Sequence, residues 1–179
     1  LTHRPVLFTH LAGLLVGAGM FVKITTLTYF VQTSRENTGY GFGANPMESG
    51  LVYILPGATV GVVASICSGA LITRFGARTV MTASGGLGVI GFGSLAVAHD
   101  ASWQVIVGSM VASAFTSLAY AAMPALLVAE VSSENTGVAN SVNSIARTAG
   151  SSVASALLAT LLASLTIGDT TFARVDAYL

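Results

Sequence analysis

Charge is what this chain has least of. Lysine, arginine, aspartate and glutamate make up 8% of its 179 residues, seven basic against seven acidic. An ordinary soluble domain carries about 25% charged residues. So few charges cannot cover a water-facing surface, and the 53% hydrophobic content calls for a surface that faces lipid. The zero net charge and the lack of a basic cluster exclude a nucleic-acid-binding face. The single cysteine, Cys67, excludes an internal disulfide framework and a CxxC metal site. His3, His10 and His99 are scattered, and no nucleophile–base pair or metal cluster stands out, so an enzyme reading has no chemistry to rest on and no cofactor is expected. Strands of about 10 residues with strict alternation, the mark of a membrane barrel, are also lacking.

What is present is five long apolar segments, at 5–31, 46–72, 79–98, 103–128 and 136–165. Each holds about 20 residues or more, enough to cross a hydrocarbon core of roughly 30 Å at about 1.5 Å per helical residue. Backbone polar groups in lipid must be satisfied within the segment, so the expected fold is all-α: a polytopic bundle of about five transmembrane helices. The first segment is too long for a signal-peptide core and is read as a true span. The connections are polar or Gly-rich, and the stretch 166–179 is expected outside the bilayer. Arg4, Arg74 and Arg78 fall on one side of such a bundle, Arg35 and Arg174 on the other. Basic residues in short loops mark the cytoplasmic side, which predicts a cytoplasmic N-terminus for this chain.

Gly57, Gly61, Ser65 and Gly69 recur every four residues. Such small-residue stripes let helix backbones approach closely in lipid. Pro56 and Pro124 sit inside spans and favour kinks. Gly86-Leu87-Gly88-Val89-Ile90-Gly91 matches GxGxxG, but a dinucleotide fold needs a preceding strand and an acidic residue about 20 positions later. Asp100 is too near, and the segment is a span.

Two basic residues fall inside spans. Arg147 lies about 11 residues, roughly 16 Å, into the fifth segment, a depth at which an ionisable group costs several kcal/mol unless it meets a cavity or a partner. Asn140, Asn143, Ser144, Arg147 and Ser151 share one face at helical spacing and are expected to look inward. That face either lines a cavity or gate, or bonds the carbonyls of a neighbouring helix. Lys23, with Thr26 one turn on, lies past the middle of the first segment. Its ammonium either snorkels toward the interface or meets an anionic substrate, or titrates, in a cavity. No Asp or Glu occurs in the middle of any span. Tyr29, Phe30, Tyr53, Phe115 and Tyr120 either line a pocket or pack helices, while Trp103 fits an interface anchor.

The most specific string is Gly69-Ala70-Leu71-Ile72-Thr73-Arg74-Phe75-Gly76-Ala77-Arg78. It places glycines and two arginines in a tight turn between spans. Here the chain resembles the major facilitator superfamily, whose loop motif reads roughly G-x-L-x-D-R-x-G-x-R. Gly69, Leu71, Arg74, Gly76 and Arg78 match, and Thr73 stands where the family usually has Asp. The stretches 48–57 and 137–150 look like helix segments of its multidrug members. The order and spacing are similar to the C-terminal half of a drug:proton antiporter of the fourteen-helix, QacA-like branch. That resemblance implies one partial lobe of a two-lobed transporter, with one helix and an N-terminal half lying outside this chain. It implies proton-coupled efflux of small amphipathic compounds across the cell membrane by alternating access. Lys23, Thr26, Asn140, Asn143 and Arg147, singled out by their depth and helical spacing rather than by the resemblance, are the candidate cavity or gate residues. The expected partners are the lipid bilayer, a small-molecule substrate, protons and the missing half. The alternative is a membrane fragment with a structural or interaction role and no transport.

Overall fold

The structure, a computed structural model, describes residues 4–164; the expected tail at 166–179 lies outside the described residues. Among the described residues the regular structure is entirely helical, and five helices are long and apolar enough to cross a membrane. The first is α1 (Arg4–Gln32), followed by the short α2 (Arg35–Thr38). A brief α3 (Pro46–Glu48) leads through a π-helical turn at Ser49–Ile54 into α4 (Leu55–Phe75). Then come α5 (Ala77–Val97), α6 (Ser102–Glu130), a 3₁₀ turn at Ser133–Asn135 and α7 (Thr136–Ser164).

Local chemistry sets these boundaries. The Asn45 side chain accepts a bond from the Glu48 amide at 2.8 Å, and Pro46 stands at the first helical position, where its missing N–H costs nothing. Pro56 cannot bond its i−4 carbonyl, and its ring crowds that group. The preceding turn widens, so that the Leu55 amide reaches back to the Gly50 carbonyl. Between α4 and α5 the chain reverses in one residue, Gly76, at φ 84°. That backbone conformation is open to glycine and disfavoured for side-chain-bearing residues.

The loop at 33–45 is packed rather than splayed. Gly43 and Ala44 donate their amides to the carbonyls of Thr33 and Val31, at 2.8 and 2.9 Å, and so satisfy acceptors left open at the end of α1. Tyr40 stacks on Phe30 with ring centres 5.7 Å apart, and Phe42 stacks on Tyr53 at 5.5 Å. This aromatic group closes one end of the bundle. The turn that carries Arg74 and Arg78 marks the other, called here the arginine-loop end.

The central helix is α6, which packs against α5, α4 and α1, while α7 packs mainly on α1. Its buried residues are mostly small: Gly108, Ser109, Ala112, Ser113, Thr116, Ala119 and Ala122 are joined by Val105, Met123 and Leu127. Lipid tails are as apolar as any side chain, so close van der Waals approach and interhelical bonds hold such helices together. The outward faces stay apolar, with Ile66 of α4 76% exposed and Val97 of α5 86% exposed. In water such surfaces would aggregate; in a bilayer they are at home.

Candidate functional site

Two polar constellations lie within the spans, and the structure keeps them apart. The first surrounds Lys23. Its Nζ donates to Ser113 Oγ at 2.8 Å, and Ser113 in turn donates to the Ser109 carbonyl at 2.8 Å. Ser113 is therefore used in both directions and holds the lysine against α6. Two glycines of α4 make room for this row of hydroxyls. A Cβ on Gly57 would come within 2.8 Å of Ser113 Oγ, and one on Gly61 within 2.9 Å of Ser117 Oγ. The result is a cavity of about 450 Å³ between α1, α4 and α6, lined by Lys23, Gly57, Gly61, Ser109, Ser113 and Ser117 among others. That volume falls within the roughly 300–1,000 Å³ of small-molecule sites.

A smaller cavity of about 140 Å³ adjoins Lys23 on its other side, toward α5. Thr26, Phe30, Phe92 and His99 contribute to its wall. Thr26 Oγ1 and His99 Nδ1 are buried there with no hydrogen-bond partner among the described residues. Lys23 and Thr26 thus share this cavity.

The second constellation joins α1 to α7. Asn143, which is buried, donates from Nδ2 to the Thr9 carbonyl at 3.1 Å and accepts from Arg147 Nη1 at 2.8 Å. Ser151 donates to the Gly17 carbonyl at 2.9 Å. Arg147 also stands over the ring of Tyr120 on α6, at 4.8 Å from its centre. Asn140 donates to the Thr136 carbonyl of its own helix, at 3.1 Å, and Ser144 is exposed. Asn143, Arg147 and Ser151 of this face are therefore spent on helix contacts, and no described residue of α7 lines either cavity beside Lys23.

At the arginine-loop end, Arg78 pairs with Glu130 and so ties the start of α5 to the end of α6. Arg74 lies over the ring of Phe75, 5.3 Å from its centre. Thr73 bonds back to its own helix, at Gly69 and Ala70. Gly69 faces open space, and Leu71 is half-buried. The carboxylate that meets the arginine loop is thus supplied by Glu130.

Sequence reasoning passed over the hydroxyl row Ser109, Ser113, Thr116 and Ser117 on α6, and the part played by Tyr120 as the ring beneath Arg147. The row had a signal, since these positions follow helical spacing inside an apolar run. Tyr120 had none, because its partner lies on another helix.

A bundle of apolar helices around a cavity with apolar walls and a few polar groups within the spans is the architecture of a multi-pass membrane transport protein. A family model described as Major Facilitator Superfamily matches residues 5–172. The chain belongs to that superfamily, whose members are membrane transporters. Comparison with curated proteins and with solved structures gives no match.

Proposed function

We propose that this chain forms most of one lobe of an alternating-access exporter that moves small amphipathic compounds out of the cell against proton entry. The observation that carries the reading is the cavity of about 450 Å³ between α1, α4 and α6. It combines apolar walls with a few convergent polar groups, the composition of a small-molecule site. It also lies within the spans, the depth at which transporters of the two-lobed kind hold substrate between their halves. Export and proton coupling rest on the likeness of the arginine loop and of the 48–57 and 137–150 stretches to drug:proton antiporters. The same loop supports a cell-membrane location with the N-terminus of this chain on the cytoplasmic side.

Accumulation of a panel of neutral and charged amphipathic dyes tests the reading in cells with and without the intact protein. Expression lowers accumulation of at least some members, and a protonophore restores it. Equal accumulation across the whole panel overturns the export reading.

A further inference from the structure

We infer that the Lys23 cavity takes the anionic group of an organic acid, so that substrates of this lobe carry a carboxylate or sulfonate beside an apolar body. The inference rests on the reading of that cavity as a substrate site, and narrows it.

Three observations carry it. A lysine ammonium has three N–H donors. Ser113 takes one of them, at 2.8 Å, and no other bond or ion pair to Lys23 is formed among the described residues. The remaining donors have room beside them, because Lys23 lines both the larger and the smaller cavity. A cation at this depth is costly without an acceptor that carries charge.

The described residues do not supply that acceptor within the spans. Among the described residues the carboxylates are Glu36, Glu48, Asp100, Glu130 and Glu134, and each lies at a helix end or in a loop. The other wall groups of the larger cavity are hydroxyls and apolar side chains, Met20, Ile24, Leu27, Ile54 and Ile66 among them. A cationic drug would meet like charge and no carboxylate among the described residues; an organic acid meets one cation, several hydroxyls and an oily floor. Depth argues against a lipid headgroup as the source of the anion. Lys23 lies nine residues before the end of α1 at Gln32, roughly 13 Å along the helix.

The test uses the intact protein carrying this chain, reconstituted in phosphatidylcholine vesicles, with dansylglycine as the carboxylate probe and dansylglycinamide as its neutral analogue. Dansylglycine is expected to bind about tenfold tighter than the amide, the difference one charge-assisted hydrogen bond supplies. Lys23→Gln removes that preference, while Lys23→Arg keeps it. Equal binding of the two probes by the native protein overturns the inference without need of any variant. So does a preference that survives Lys23→Gln. Transport of ethidium or a neutral dye with refusal of dansylglycine overturns the inference and leaves export standing. A protein that moves no member of such a panel overturns both.

Discussion

The guanidinium carbon of Arg147 stands 4.8 Å from the centre of the Tyr120 ring, so the deepest arginine of the bundle is answered by an aromatic face on a neighbouring helix. Its Nη1 is bonded to Asn143, which in turn holds the Thr9 carbonyl. One side chain therefore links α7 to α6 directly and to α1 through Asn143. A cation over an aromatic face contributes about 0.5–2 kcal/mol. A double-mutant cycle of Arg147→Met and Tyr120→Leu, read by thermal unfolding in detergent, should return a coupling of about that size. Tyr120→Phe should keep it, since the ring and not the hydroxyl faces the cation. Additive effects of the two changes would remove this pair from the list of contacts that hold α6 and α7 together.

The crossing of α1 and α7 is set by glycine. A Cβ on Gly150 would overlap the Leu14 carbonyl, and one on Gly17 would overlap that of Arg147. Gly150→Ala should therefore force the two backbones apart and lower the unfolding temperature, with loss of the Ser151–Gly17 bond. Gly85 and Gly93 of α5 have open space around the added carbon. Alanine at either should be neutral or gain about 0.5–1 kcal/mol through helix propensity. The contrast between the sites is the measurement, because a general intolerance of alanine would show up at all of them.

How far the fold could be read in advance follows from where its information sits. Five spans were legible because each apolar run exceeds the thickness of a bilayer, a one-dimensional property. The reversal at Gly76 was legible because only a glycine-bearing string between two spans can turn so sharply. Pairings between helices were not. The stripe Gly57, Gly61, Ser65 and Gly69 reads as one face, yet Gly57 and Gly61 meet the α6 hydroxyls while Gly69 meets open space. Small residues occur on several faces of every helix here, so spacing alone cannot say which face finds a partner, or along how much of its length. The same holds for the candidate site. Lys23 and Thr26 stood out because they are polar within an oily run, and they share a cavity. Asn143 and Arg147 stood out for the same reason, and they contact α1 and α6 respectively, one of the two readings open to that face. The loop at 33–45 looked polar, but Tyr40 and Ala44 are buried in it. Its three positive-φ glycines, Gly39, Gly41 and Gly43, fold it onto the end of α1.

His10 is buried in α1, and neither ring nitrogen has a hydrogen-bond partner among the described residues. A buried polar atom without a partner costs about 1–3 kcal/mol, and replacing it by an apolar side chain of similar size can be neutral or stabilising. His10→Leu should thus leave the unfolding temperature unchanged or raise it. A marked fall would mean that the imidazole makes a bond that holds the bundle, and would move His10 from packing into the set of residues that work.

Arg78 and Glu130 each stand at an unfavourable helix end. Arg78 is in the first turn of α5, where the macrodipole is positive, and Glu130 is the last residue of α6, where it is negative. Each charge near a helix end is worth about 0.3–1 kcal/mol, of either sign. The pair itself is largely open, its side chains 77% and 26% exposed, and such pairs contribute about 0–1 kcal/mol. The attraction between the two groups and the repulsion from their helices are therefore of similar size. Breaking the pair with Glu130→Gln should shift the unfolding temperature little, because a lost attraction is offset by relief at the end of α6. Reversing it, with Arg78→Glu and Glu130→Arg together, keeps the attraction and turns both dipole interactions favourable. The reversed protein should equal or exceed the native one in stability. A reversed protein well below the single variant Glu130→Gln would show that the arginine at position 78 is held for another reason, such as the basic side of the loop that orients the chain in the membrane.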